Sequence, residues 1–381
     1  MPDLEVRAEL MTRARALVPL LRDSADEIDE ARQLPPHIVA EMKEAGVFRM
    51  SMPKAWGGWE ADPVTQNLVI EELSAANGSA GWCVMIGVSG GFLSSLLDQD
   101  VARAMFPDPN MTSANAFVPP GKAVRVEGGY RVSGRWPFAS GITHATWVQA
   151  TAMLEPIAGE AADPFPRFFF MPVTDVEIID TWHTTGLKGT GSRDFAMDDV
   201  FVPDERVVDH IRGPWRRPGP LYGSLTPVLL NHFGVPLGLG KRAIESYTEM
   251  MRDKPGKFGI ASRDEPYIQI ALAEASAILG AARAYAFDVL ERVWAALESG
   301  AQLTDSERVE WRVANAFVHD SCARAVELLQ HAAGSKSVYL PSDLDRCFRD
   351  IHTARQHGIV AGRVYDQAGR TMLGGPLPRG W

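Results

Sequence analysis

The chain has 381 residues, more than one hydrophobic core usually serves, so we expect several packed domains. With 46% hydrophobic and 23% charged residues, the composition is that of an ordinary globular protein. The net charge of −10 argues against a nucleic-acid partner, because binding phosphates needs clustered Lys and Arg.

The sequence predicts no targeting segment, membrane span or metal site. The first thirty residues mix both charge signs and lack the apolar core of a signal peptide. The longest apolar stretches are shorter than the roughly 20 residues of a membrane span. The three cysteines are far apart and form no zinc motif, which suits a reducing compartment. We therefore expect a cytoplasmic protein with no membrane partner and no metal.

Residues 1–110 have the pattern of helices joined by short loops. Apolar residues recur at a spacing of three or four near the N-terminus, with charges between them. Two further helices, 63–77 and 79–98, are predicted on either side of the Asn77-Gly78 step, which interrupts helical structure. These segments predict an N-terminal helical domain.

The pattern changes between residues 111 and 215. Short segments there are rich in Val, Phe, Trp and Thr and are punctuated by Gly and Pro, which is typical of strands. The step Glu127-Gly128-Gly129-Tyr130 predicts a hairpin turn. We therefore expect a central β domain over 111–215.

Helices resume after a loop rich in Pro and Gly, which predicts a third domain over 216–381. Its predicted helices cover 219–251, 265–299, 304–333 and 342–368. The second of these is apolar over most of its circumference. Such a helix has to be buried on several sides, as in the centre of a bundle or at an oligomer interface.

The block order α, β, α and three motifs resemble the acyl-CoA dehydrogenase superfamily. The motifs are WPFASGITHATW at 136–147, WHTTGLKGTGS at 182–192 followed by DDVFVP, and LLQHAAGSKSVYLPSDLDRCFRDIHTARQH at 328–357. The resemblance implies an α+β fold with an N-terminal α-helical domain, a central β-barrel or sandwich domain and a C-terminal four-helix bundle. It also implies a homotetramer.

The carboxylate base of a dehydrogenase is missing. An acyl-CoA dehydrogenase needs a carboxylate to take the α-proton of its substrate, and the family carries that Glu in one of two places. The first place corresponds to SLTPVLLNHFGVPLG at 224–238, which contains no Asp or Glu. In the second, near the C-terminus, only Asp366 could substitute, because the last glutamate is Glu327.

The resemblance therefore favours the flavin-dependent monooxygenase branch, similar to p-hydroxyphenylacetate hydroxylase and dibenzothiophene monooxygenase. Such an enzyme takes reduced FMN or FAD from a separate NAD(P)H-dependent flavin reductase. It uses O2 through a C4a-(hydro)peroxyflavin to oxygenate a small organic substrate, with an aromatic one favoured. Two alternatives stay open: an acyl-CoA dehydrogenase-like flavin oxidoreductase without the usual Glu, and a non-catalytic flavin-binding protein.

The resemblance also assigns site residues. His357 lies at the position of an active-site histidine in the branch, and an imidazole pKa of about 6.5 suits proton exchange near neutral pH. A surface histidine on the last helix is the alternative interpretation, and His352 is its neighbour there. The predicted catalytic residues are His357, Ser140 and Asn115. The predicted cofactor-binding residues are Trp136, Phe138, Ser140, Trp182, Arg252, Lys257 and Arg349, and the predicted substrate-binding residues are Trp82, Ser89 and His144.

The phosphate-binding segment departs from the family pattern. The family usually has an Arg shortly before a Phe-Gly pair, whereas here a Pro-Gly pair displaces the basic residues. Arg252, Lys254 or Lys257 could serve in its place. The choice between FMN and FAD is therefore open.

Overall fold

The computed structural model describes residues 3–156, 159, 161–252, 261–340 and 342–378. Within these residues, thirteen α-helices and seven β-strands follow the predicted order of helices, strands and helices. The predicted α+β architecture is confirmed.

Seven helices form the N-terminal part. They are α1 Leu4–Asp23, α2 Ala25–Ala31, α3 Pro36–Glu44, α4 Pro63–Ala76, α5 Gly78–Gly87, α6 Ser89–Leu93 and α7 Gln99–Met105. The side chain of Asn77 caps α5 by accepting a hydrogen bond from the Ala80 N–H, so the interruption predicted there is a helix start.

The single helix predicted over 79–98 is wrong, because the chain turns at Val88 between α5 and α6. Glycine weakens helices, and it permits close backbone packing here. A Cβ on Gly91 would lie 2.5 Å from the carbonyl oxygen of Ser51. Trp82 and Ser89 therefore lie on separate helices rather than on one face of the same helix.

The central domain, predicted as a barrel or sandwich, is one seven-stranded mixed sheet. Its strands are β1 Ser113–Val126, β2 Gly129–Ala139, β3 Trp147–Leu154, β4 Arg167–Pro172, β5 Glu177–Ile179, β6 Arg193–Pro203 and β7 Val207–Val208. Their order is β5-β6-β2-β1-β3-β4-β7, with β1 and β3 parallel and the other pairs antiparallel. The predicted hairpin turn joins β1 to β2 through Gly128, whose φ of +73° favours glycine.

The C-terminal helices are α8 Thr226–Leu229, α9 Gly234–Arg252, α10 Pro266–Glu298, α11 Asp305–Ala333, α12 Asp343–Ala354 and α13 Arg363–Met372. The bounds of α10 and α11 agree with the prediction. The helix predicted over 219–251 begins only at Thr226 and passes through a 3₁₀ turn, Leu230–Phe233, before α9.

The last predicted helix, 342–368, is two helices. It ends at Ala354 and resumes at Arg363, with Gly358 and Gly362 in the turn between them. His357 therefore lies in this turn, whereas His352 lies on α12. The expectation that both histidines project from one helix is wrong.

One hydrophobic core joins the two helical blocks. Buried residues of the N-terminal helices such as Leu10 and Val84 belong to the same cluster as Tyr247 and Trp311 of the C-terminal helices. A second cluster belongs to the sheet and is centred on Trp136 and neighbouring strand residues. The sheet therefore has its own core, whereas the helical blocks before and after it pack together.

Among the described residues, two helical stretches are long and apolar enough to cross a membrane by length and composition. Gly78–Leu96 is 94% buried inside the protein, and Pro266–Glu298 is only 22% buried. The expectation that every apolar stretch is too short for a span is therefore wrong. The first stretch is a core segment, whereas the second leaves much of its surface uncovered.

Trp136 belongs to the sheet core rather than to a cofactor wall, which corrects its predicted role. Its side chain is fully buried and stacks on Phe195 with ring centroids 5.1 Å apart. Its indole N–H donates to the carbonyl of Thr151 at 2.9 Å. Phe138 is 68% exposed, because the register of β2 against β6 shifts after Trp136 and Phe138 has a φ of +65°.

We predict opposite outcomes for Trp136→Ala and Phe138→Ala in the flavin-free protein. Truncating the buried indole removes core packing and should cost about 3–5 kcal/mol of unfolding free energy. Truncating the exposed ring should change it by about 0.5 kcal/mol or less. Chemical denaturation followed by circular dichroism measures both, and similar losses in the two variants would contradict the placement.

Candidate active site

A chain of hydrogen bonds connects the helices to the sheet. The indole N–H of Trp82 on α5 donates to Ser140 Oγ at 2.9 Å, and Ser140 Oγ lies 2.7 Å from Ser192 Oγ. Ser192 Oγ lies 2.7 Å from Thr190 Oγ1, which donates to the carbonyl of Leu187 at 2.9 Å. All five residues of this chain are buried.

The number of protons that each group can donate fixes the direction of these hydrogen bonds. Each hydroxyl has one proton, and a carbonyl can only accept. The proton of Thr190 is committed to the Leu187 carbonyl, so Ser192 donates to Thr190 and Ser140 donates to Ser192. Ser140 therefore has no proton left for a ligand and faces one only as an acceptor.

His357 contacts Trp82, the residue at which this series of hydrogen bonds begins. Its ring meets the ring of Trp82 edge-on, with centroids 5.5 Å apart. The Ile359 N–H points at His357 Nδ1 at 3.5 Å, so Nδ1 is the acceptor and Nε2 carries the proton. Burial lowers the pKa of His357 to about 4. The expected proton exchange by an imidazole with a pKa of about 6.5 is therefore wrong. At neutral pH, His357 is a neutral N–H donor.

A second polar group lies where β1 and β3 meet α6. Asn115 Nδ2 donates to Ser89 Oγ at 2.8 Å. Gln149 is paired with Asn115 in the sheet register and is fully buried. Neither its amide nitrogen nor its amide oxygen has a partner in the described part of the chain. Sequence reasoning missed Gln149 because a lone Gln in an apolar strand gives no signal.

An apolar wall lies beside Ser140. The ring of Phe138 meets that of Trp182 edge-on at 6.3 Å, and the Trp182 indole N–H donates to the Leu187 carbonyl at 3.0 Å. A flavin needs a flat apolar wall together with a few polar groups near its reactive edge. The exposed ring of Phe138 supplies such a wall, and Ser140 supplies an acceptor beside it. The residues present therefore fit a flavin.

Asp350 is a further residue that sequence reasoning missed, although it belongs to the quoted Arg-Asp pair. Its carboxylate is buried and accepts the Leu187 N–H at 2.6 Å. Burial raises the pKa of Asp350 to about 7, against the lowering effect of the Leu187 hydrogen bond. Helix α12 thereby fixes the backbone at which the hydroxyl chain ends.

Several predicted site residues lie elsewhere. His144 packs against Phe48 at 5.7 Å, and no ring contact joins it to Trp82 or His357 within the described residues. Arg349 donates to Asp345 at 2.8 Å and to the Thr185 carbonyl at 2.7 Å, so it holds the segment between Trp182 and Leu187.

The predicted phosphate-binding residues are only partly described. Arg252 is exposed at the end of α9, and Lys254 and Lys257 lie outside the described residues. Asp366, the carboxylate on which a dehydrogenase would depend, is exposed on α13. Its exposure removes the support for a base at that position.

We predict that Asp350→Asn changes the pH dependence of stability. Because the folded-state pKa is raised above the unfolded value of 3.8, the stabilising contribution of the protonated carboxyl is complete below about pH 4 and is lost as pH rises through about 7. Asn keeps the acceptor for Leu187 and carries no charge. The wild type should therefore lose stability relative to the variant between pH 5 and pH 8.

Denaturation midpoints of both proteins at pH 5 and pH 8 measure this effect. Asp180→Asn is the control, because the hydrogen bond from Arg32 lowers the pKa of Asp180 to about 2 and removes its titration from this range. A wild-type and Asp350→Asn difference that is equal at both pH values would contradict the assignment.

Comparisons with known proteins agree with this geometry. Residues 8–99 match the family "Acyl-CoA dehydrogenase, N-terminal domain", and residues 231–361 match "Acyl-CoA dehydrogenase, C-terminal domain". Indole-3-acetate monooxygenase of Pseudomonas putida is 30% identical over 374 residues, covering 95% of this chain and 94% of the relative. The oxygenase component of the FADH(2)-dependent resorcinol hydroxylase of Rhizobium sp. is 30% identical over 393 residues, covering 96% and 94%.

A solved structure extends the likeness to the fold. XiaF from Streptomyces sp., in complex with FADH2 and glycerol, superimposes with a TM-score of 0.90 at 26% identity and covers 98% of this chain and 97% of its own. The relatives match nearly end to end and are named as a monooxygenase, an FADH(2)-dependent hydroxylase and, in Rhodococcus jostii, a flavin-dependent monooxygenase oxygenase subunit. The chain therefore belongs to the acyl-CoA dehydrogenase superfamily, in the branch of the flavin-dependent monooxygenase oxygenase components.

Proposed function

We propose that this protein is the oxygenase component of a two-component system that oxygenates a small aromatic substrate. Two of the relatives are named for indole-3-acetate and resorcinol, and the second of these is named as an oxygenase component. A separate NAD(P)H-dependent reductase would supply reduced FMN or FAD. The bound reduced flavin would supply the electrons and the reaction with O2.

The observation that carries the proposal is the neutral His357 against Trp82, at the start of the directed hydroxyl chain. No carboxylate among the described residues contributes to the lowered pKa of His357, and Asp366, the base on which a dehydrogenase would depend, is exposed on α13. His357 Nε2–H can instead donate a hydrogen bond to an oxygen atom. This arrangement favours an oxygenase over a dehydrogenase or a passive flavin binder.

Ser140 favours the reduced cofactor. Its proton is committed to Ser192, so Ser140 can only accept from a ligand. Reduced flavin carries an N–H at the ring nitrogen where oxidised flavin has a lone pair, and a lone pair facing an acceptor forms no hydrogen bond. Ser140 would hold the reduced ring, with Phe138 and Trp182 covering its apolar surface. The buried segments around Trp82 would exclude water.

Trp82, Ser89 and Asn115 would form the substrate side of this pocket. Asn115 of β1 and Ser89 of α6 are hydrogen-bonded to each other, and Trp82 of α5 contacts His357. Arg252 and Lys257 remain candidates for the flavin phosphate.

We also propose a cytoplasmic homotetramer built on the C-terminal helices. Helix α10 has 33 residues and leaves Tyr267 53% and Ile270 63% exposed. An apolar helix face of this length can pack against the same face of a second copy of the protein.

We predict that His357→Ala uncouples the enzyme, whereas His352→Ala does not. Removing the Nε2–H donor should lower the ratio of product formed to O2 consumed by at least about tenfold, toward the roughly 10²–10⁴ of a lost proton-handling group. Peroxide release should rise accordingly. Flavin oxidation and peroxide release, measured side by side with indole or resorcinol as probe, provide the test.

His352 is the matched control, since it lies on α12 with its Nε2 3.2 Å from Glu327 Oε1 and packs on Phe348. Equal, small effects in the two variants would return His357 to a structural role and remove the support for oxygenation at this pocket.

A further inference from the structure

His232 is a buried histidine that no predicted role includes. It lies in the 3₁₀ turn Leu230–Phe233 before α9 and is 4% exposed. Its ring centroid is 5.4 Å from that of His357, and the two planes are tilted by 38°. A lone histidine in the largely apolar segment 224–238 gives no signal in the sequence.

The hydrogen bond of His232 fixes its tautomer. Nδ1 lies 3.2 Å from the carbonyl oxygen of Leu229, and a carbonyl can only accept, so Nδ1 carries the proton. Nε2 is therefore an acceptor. It is buried and has no partner in the part of the chain that the structure describes. Burial, followed by the nearby His357 and His319, holds the pKa of His232 well below its usual value, so the ring is neutral.

His357 has the opposite tautomer. Its Nδ1 accepts from the Ile359 N–H, which leaves Nε2–H as a donor. Two adjacent neutral imidazoles thus present one donor nitrogen and one acceptor nitrogen. A hydroxyl can satisfy both, because its oxygen accepts one hydrogen bond while its proton makes another. An ether oxygen can accept from His357 but leaves His232 Nε2 unpaired.

A buried acceptor without a partner discriminates strongly between ligands. Its desolvation is compensated only when a ligand donates to it, so a ligand without a proton binds less well. Sites built to hydrogen-bond a substrate hydroxyl reject the analogue that lacks it much more strongly than apolar pockets reject a change of size.

We propose that His232 selects a phenolic substrate, its Nε2 accepting the hydrogen bond of the aromatic hydroxyl while His357 Nε2–H donates to the same oxygen. The proposal rests on the proposed function, because that function places the substrate beside His357. It names a feature that the substrate needs, a hydroxyl that both donates and accepts.

The test is equilibrium binding of phenol and anisole to the full-length protein, by calorimetry under anaerobic conditions without turnover. Anisole keeps the ring and the oxygen but cannot donate. The wild type should bind phenol about tenfold or more tightly than anisole, which corresponds to one hydrogen bond to a buried acceptor.

Two substitutions at His232 distinguish the roles of its two ring nitrogens. In His232→Asn, the amide can still donate to the Leu229 carbonyl but nothing replaces Nε2. Phenol and anisole should therefore bind to this variant with about equal affinity. In His232→Gln, the longer side chain can place its oxygen near the former Nε2, so part of the preference should return. His319→Asn is the matched control: His319 is 1% exposed, its Nδ1 lies 2.9 Å from the Asn315 carbonyl, and the preference should be unchanged.

The proposal is overturned if the wild type binds phenol and anisole equally or binds neither. It is also overturned if His232→Asn keeps the wild-type preference for phenol over anisole. If that variant does not fold, the ¹⁵N shifts of the wild-type histidine rings decide, since His232 must have its proton on Nδ1. These measurements need no oxygenation. A phenol preference without oxygenase activity would leave this inference standing and contradict the proposed function.

Discussion

Leu187 is the point at which three parts of the protein meet through hydrogen bonds. Its N–H donates to the buried Asp350 of α12, and its carbonyl accepts from Trp182 and Thr190. The chain approaches α12 so closely that a Cβ on Gly186 would lie 2.1 Å from the Arg349 carbonyl oxygen. The position of this one peptide therefore sets where the Thr190 hydroxyl points.

The position of Leu187 affects the pocket because it sets the direction of each hydrogen bond between Thr190 and Ser140. With Thr190 committed to Leu187, each hydroxyl back to Ser140 has its proton committed as well, and Trp82 supplies the first N–H. The same pocket presents the partly exposed His357 as a donor and the buried His232 as an acceptor, and both rings are neutral because desolvation lowers their pKa values. The chemistry of this pocket is set by donors and acceptors of fixed direction rather than by a charged base. Such preorganised dipoles need no rearrangement when a ligand binds.

The sequence predicted what depends on local pattern and missed what depends on packing. Helices α10 and α11 were predicted within one residue of their bounds because apolar periodicity covers each of them, and a capping box at Thr304 starts α11. Trp136 and Phe138 have the same parity in a regular strand, so sequence could not show that a register shift buries one and exposes the other. The roles of His232, Gln149 and Asp350 depend on contacts between segments far apart in the chain.

The most direct test of this account is the affinity for reduced and oxidised flavin, measured anaerobically by fluorescence titration in the wild type and in Ser192→Ala. If Ser140 is an acceptor only, the wild type should bind reduced flavin at least about tenfold more tightly than oxidised flavin. Ser192→Ala frees the Ser140 proton and should narrow that ratio by tightening the binding of oxidised flavin. Equal affinity for both redox states in the wild type, or a ratio that Ser192→Ala leaves unchanged, would contradict the account.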